Sequence, residues 1–175
     1  MGETHVILTI DDEEPIRRSI RVFFEDSGFE VVEAKDGQEG LELFRSKRPS
    51  VVLVDLRMPG ISGVDVIDTL KKEAPEVPVI VLSGTGLIGD AIDAMRRGAW
   101  DYVMKPIADM SELEHVVRLA LERSELIREN RRYREHLEEE VGRRTRELQQ
   151  EINERKKTAE RLTLSEQSLR NILQT

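Results

Sequence analysis

The sequence contains no cysteine in 175 residues, so disulfides and thiolate metal sites are excluded and a reducing, cytoplasmic setting is expected. Long apolar runs are also missing. The longest near the N-terminus, Val6 to Ile10, is too short for a secretory h-region and lacks basic flanks. Nothing approaches the roughly 20 apolar residues that a bilayer span requires, so no membrane association is expected. Positive charge is scarce where it would matter for nucleic acid. Residues 1–120 carry 14 Lys+Arg against 23 Asp+Glu, a net −9, and residues 121–175 carry 13 against 12, a net +1. An acidic front and a mixed-sign tail give no case for direct nucleic-acid binding. Histidine is rare too: His5 and His115 lack companions at metal-ligand spacing, and His136 reads as an exposed helical residue.

What is present is organised around Val51-Val52-Leu53-Val54-Asp55, bounded by Pro49 and by Pro59-Gly60. A short unbroken apolar run reads as a strand buried on both faces of a parallel sheet. Asp55 is then its last residue, placed either to cap a turn or to serve a site beyond the strand ends. Four further strands are expected at His5–Ile10, Phe29–Ala34, Val77–Leu82 and Trp100–Met104. Helical spacing predicts helices between them: Ile16, Ile20, Phe23 and Phe24 after Pro15; Leu41 and Phe44 within 38–47; Val66, Ile67 and Leu70 within 64–73; and Ala91–Arg97. Ser111-Glu112-Leu113-Glu114 has the form of a capping box opening a last helix that runs to about residue 170. Strict alternation predicts an α/β fold, a doubly wound (βα)5 unit with a five-stranded parallel sheet. The expected domains are residues 1–120 and a helical extension, 121–175.

Four strand ends deliver side chains to one crevice: Asp11 and Asp12, Asp55, Ser83 and Lys105. Three carboxylates held together repel unless they are protonated or share a cation. A hard divalent ion, Mg²⁺ first, suits oxygen ligands and also accepts a phosphate oxygen. Metal, ammonium and hydroxyl donor together suit phosphoryl transfer onto a carboxylate, with Asp55 as the nucleophile. Taken singly, each group has a plainer role as a cap, a turn or a loop start.

These segments, Ile7-Leu8-Thr9-Ile10-Asp11-Asp12-Glu13, Val52-Leu53-Val54-Asp55-Leu56-Arg57-Met58-Pro59-Gly60, Val79-Ile80-Val81-Leu82-Ser83-Gly84 and Gly98-Ala99-Trp100-Asp101-Tyr102-Val103-Met104-Lys105-Pro106, resemble the receiver domains of two-component response regulators, over residues 5 to about 122. The resemblance implies a CheY-like, flavodoxin-like fold and phosphorylation of Asp55 by a sensor histidine kinase or phosphotransfer protein. It further implies Mg²⁺ held by Asp11, Asp12, Asp55 and the backbone carbonyl of Arg57, phosphoryl contacts from Ser83 and Lys105, and a switch in which Tyr102 follows Ser83. Thr9 stands where an aliphatic residue is common, and Gly84 where alanine is usual; Gly84 and Gly86 bear on the lifetime of the phosphate.

Beyond residue 115 an apolar seam runs through Val116, Leu119, Leu126, Tyr133, Leu137, Val141, Leu148, Ile152, Ala159, Leu162, Leu169 and Leu173. Alternating steps of three and four predict a left-handed coiled coil, formed as a parallel homodimer over residues 116–173. Between Tyr133 and Leu148 the seam slips by one residue, and Arg123, Asn130, Arg155 and Glu166 interrupt it. An intramolecular hairpin could turn only at Gly142. Ser165 to Gln174 resembles the entry helix of a PAS sensory domain. The expected protein is a regulatory phosphoacceptor, not an enzyme beyond its own phosphoryl transfer and loss. The alternatives are the N-terminal regulatory part of a hybrid histidine kinase or cyclic-dinucleotide enzyme, and a docking scaffold that is never phosphorylated.

Overall fold

The structure, a computed structural model, describes residues 4–84 and 88–173, excluding the side chains of Ile88 and of residues 169–173. Thr85 and Gly86 of the expected glycine-containing loop, and the seam side chains Leu169 and Leu173, thus lie outside the described residues.

Strands β1 (Val6–Ile10), β2 (Glu30–Ala34), β3 (Val51–Asp55), β4 (Val79–Gly84) and β5 (Asp101–Lys105) alternate with helices α1 (Glu14–Asp26), α2 (Gly37–Lys47), α3 (Gly63–Glu73), α4 (Ile88–Arg96) and α5 (Met110–Leu173). All strand pairs are parallel, in the order β2-β1-β3-β4-β5. Every residue of β3 is buried, as an unbroken apolar run at the centre of a two-sided sheet requires. Successive residues face opposite ways. Leu8, Ile10, Val52, Val54 and Val81 meet Val66, Ile67 and Leu70 of α3, while Ile7, Leu53, Leu82 and Val103 meet Ile20 and Phe24 of α1 and Leu113 and Val117 of α5.

The chain leaves β1 toward β2 on one side and returns to β3 on the other. The order therefore reverses between β1 and β3, which opens a crevice at their carboxyl ends. Asp36 caps α2 by accepting from the Glu39 N–H at 2.9 Å, and Ser62 caps α3 through the Asp65 N–H at 3.3 Å. Gly63 then lets α3 start hard against the end of β3, where a Cβ would run into the Asp55 carbonyl.

Several boundaries differ from the sequence expectation: β1 and β2 each start one residue late, and α4 runs Ile88–Arg96 where Ala91–Arg97 is expected. β4 starts at Val79 rather than Val77, because the Val77 N–H is spent on Ala74 O and Pro78 has no donor. β5 is displaced one residue, to Asp101–Lys105. At the start of α5 the cap is Asp109, not Ser111. Asp109 Oδ1 accepts from the Ser111 N–H at 2.8 Å and from its hydroxyl at 2.6 Å, which holds the Asp109 carboxyl below the usual range. An ionised acceptor outcompetes a hydroxyl for the free helix donors.

The chain divides into two units, residues 1–128 and 129–175. In the first, α5 buries Leu113, Val117, Ala120 and Leu121, and the Ser124 hydroxyl donates to Glu76 O at 2.9 Å. The helix is unbroken through Gly142, which removes the hairpin alternative. In the second unit Tyr133, Leu137, Val141, Leu148, Ile152 and Leu162 are all exposed. Among the described residues no helix is long and apolar enough to cross a membrane.

Candidate functional site

The turn from β1 into α1 places Asp11 at the crevice, fully buried. Its Oδ1 accepts from the Glu13 N–H at 2.9 Å, and Arg17 Nη1 donates to its carbonyl at 2.7 Å. Asp55, at the end of β3, accepts from the Arg57 N–H at 3.2 Å. From the end of β5, Lys105 Nζ reaches Asp11 Oδ2 at 2.8 Å, Asp55 Oδ2 at 2.9 Å and Glu13 Oε1 at 3.1 Å. One ammonium thus bridges carboxylates delivered by β1 and β3.

The electrostatics follow from burial. Loss of solvent pushes the Asp11 carboxyl above its usual range, an effect that the Lys105 contacts only partly offset. Burial also opposes the Lys105 charge, yet hydrogen bonds and attraction from Asp11 and Asp55 outweigh it and hold the ammonium well above the ordinary lysine value. Ser83 is buried at the end of β4. Asp12, Glu13, Asp55, Leu56, Arg57, Ser83, Gly84 and Lys105 line a cleft of about 270 Å³.

Asp11, Asp12 and Asp55 each offer a carboxylate oxygen, and the three lie within 4.8 Å of one another. That donor set is hard, anionic and one-sided. It fits a small divalent cation that completes its octahedron with water and a phosphate oxygen. Tyr102 stands apart, 43% exposed, beside Ala91, Ile92, Met95 and Arg96 of α4.

Comparison with known proteins decides the family. The model of the response regulator receiver domain matches residues 7–118. The chain belongs to the response regulator receiver family. The receiver is 40% identical over 124 residues to the probable transcriptional regulator ycf27 of Porphyra purpurea, covering 71% of this chain and 50% of that protein. It is 37% identical over 125 residues to the regulatory protein AtoC of Escherichia coli, covering 71% and 27%. A receiver domain structure from Clostridium thermocellum aligns at TM-score 0.67 and 37% identity, covering 70% of this chain and 98% of that one. NtrX of Brucella abortus aligns at TM-score 0.70 and 36% identity, covering 73% and 29%. The chain thus spans half or less of the curated relatives named here.

Receivers act in two-component signalling, with aspartate phosphorylation typical of the family, Mg²⁺ bound at an acidic pocket, and histidine kinases or phosphotransfer proteins as partners. Asp11, Asp12, Asp55, Ser83 and Lys105 all come from strand ends at this crevice. Two features escaped the sequence reading. Glu13 contacts Lys105, and its only signal was its place after Asp11-Asp12. The Arg57 guanidinium meets Asp90 of α4 at 3.1 Å, a pairing across 33 positions that no local pattern announces.

Proposed function

We propose that this receiver takes a phosphoryl group on Asp55 from a sensor histidine kinase or phosphotransfer protein and passes the change into a dimeric helical coil. The observation that carries the reading is the single ammonium spanning Asp11 and Asp55 at the switch point of the sheet. Asp55 attacks phosphorus while the bond to the donor's imidazole nitrogen breaks. Lys105 Nζ, already 2.9 Å from Asp55 Oδ2, faces the charge that builds on the phosphoryl oxygens, and Ser83 supplies a hydroxyl donor from the adjacent strand end. Asp11, Asp12, Asp55 and the Arg57 carbonyl would hold Mg²⁺, which supplies charge neutralisation to the migrating group.

The phosphoryl group adds about −1.5 to −2 charges at Asp55. Ser83 and Lys105 re-form around it, Tyr102 leaves its exposed position beside α4, and the α4–β5–α5 face changes shape. The α5 part of that face is the start of the helix that carries the seam, and we assign receiver duty to residues 1–120 and transmission to 121–175. The output is regulatory and cytoplasmic, with a parallel homodimer over 116–173 as the assembly. Incubation with acetyl phosphate and Mg²⁺ should add one phosphate to the protein by intact mass, and none to Asp55→Asn. A phosphorylated Asp55→Asn variant would overturn the assignment.

A further inference from the structure

Arg57 sits two residues beyond the acceptor and is one of the residues lining the same cleft as Asp55, Ser83 and Lys105. Its guanidinium is paired with α4, where Nη2 and Nε lie 3.1 and 3.4 Å from Asp90 Oδ2. Both side chains are well exposed, at 66% and 44%, so the pair is screened and weak. Asp90 lies in the first turn of α4, where the helix dipole stabilises a carboxylate without a cation. The guanidinium is therefore held by a partner that can release it.

We infer that Arg57 is a phosphoryl-contacting residue whose resting counter-ion is Asp90, so that charging Asp55 draws the guanidinium off α4 and unlatches the N-terminal turn of that helix. The inference rests on Asp55 being the acceptor. A phosphoryl dianion offers twice the charge of Asp90 and oxygens spaced for a guanidinium fork. The Arg57 N–H already lies 3.2 Å from Asp55 Oδ1, so the side chain needs only to rotate. No bond is made or broken in this exchange.

The test is titration of the full chain with Mg²⁺ and beryllofluoride, a phosphoryl surrogate, followed by calorimetry. Asp90→Asn frees Arg57 and should tighten binding roughly two- to five-fold, the scale of an exposed ion pair. Arg57→Gln should weaken it, and in the Arg57→Gln background Asp90→Asn should have no further effect. Hydrogen exchange in residues 88–96 should rise on binding in the parent and be raised beforehand in Asp90→Asn. Equal tightening by Asp90→Asn with and without Arg57 would mean simple charge removal and overturns the latch, as would an unchanged affinity in the single variant. Failure of the parent chain to bind the surrogate at all would overturn the acceptor reading, a distinct result.

Discussion

Lys71 shows how one residue's surroundings set a measurable pH dependence. Burial, with Arg123 adding like charge, pushes its ammonium down to about 8. Its Nζ donates to Val77 O at 2.8 Å and lies 5.4 Å from the Trp100 ring centre, while the Arg123 guanidinium lies 4.7 Å from the same centre. The folded chain therefore releases this proton before the unfolded chain does. Between about pH 8 and the ordinary 10.5 the unfolded state binds more protons, so stability rises with pH, and the gain is lost as pH falls through 8. Urea midpoints of the parent should climb relative to those of Lys71→Met across that window; parallel curves would refute the assignment. Thr9 gives a second case. It is fully buried on β1, opposite Leu53, and its hydroxyl has no hydrogen-bond partner among the described residues. Thr9→Val keeps the shape and removes the orphaned hydroxyl, and should stabilise the fold by about 1 kcal/mol in urea unfolding. Asp11, Asp12, Asp55, Ser83 and Lys105 were legible because each ends a strand, and strand ends of a parallel sheet converge. Glu13, the Arg57–Asp90 pair and the Lys71–Trp100–Arg123 cluster were not, since they depend on how helices settle against the sheet.

At the scale of elements, α3 is placed by a single glycine. A Cβ on Gly63 would run into the Asp55 carbonyl and come within 2.7 Å of Leu56 Cα, and backbone atoms cannot swing aside as a side-chain tip can. Gly63→Ala should cost roughly 1–3 kcal/mol despite alanine's higher helix propensity, and should weaken phosphorylation by displacing the loop that carries Arg57. Gly89, in the first turn of α4, has nothing within 4 Å of its would-be Cβ. Gly89→Ala is the matched control and should be neutral or stabilising by up to about 1 kcal/mol. Chemical denaturation of both variants checks the pair; similar losses would show that propensity, not the close approach, governs Gly63. Element order and type were readable from apolar periodicity, because a five-fold alternation leaves few topologies. Ends were less so: β4 begins late through Pro78, and α5 is capped by Asp109 because an ionised carboxylate outbids the Ser111 hydroxyl.

For the whole molecule, the question is what covers residues 129–168. Their helix is held by local pairs such as Glu151–Arg155 at 2.6 Å and Arg144–Glu147 at 3.1 Å, each contributing a few tenths of a kcal/mol. Such pairs sustain a helix poorly without burial of an apolar stripe, and Tyr133, Val141, Ile152 and Leu162 are each more than half exposed. A second copy in parallel register would cover that stripe, so sedimentation should show self-association of residues 1–175 that is lost or much reduced in residues 1–128. The slip gives a sharper handle. Tyr133 to Leu148 spans fifteen residues over four seam steps, where two heptads span fourteen, so the local period exceeds that of a left-handed coil. Deleting Glu139 brings Leu137, Val141, Thr145 and Leu148 into unbroken steps of three and four. That variant should dimerise more tightly, with a melting temperature less dependent on concentration. If the slip is the adjustable section through which the receiver acts, the same deletion should leave phosphorylation of Asp55 intact while abolishing any effect of phosphate on hydrogen exchange beyond residue 148. A deletion that changes neither dimer affinity nor that exchange would show that the seam is not an interface between two copies.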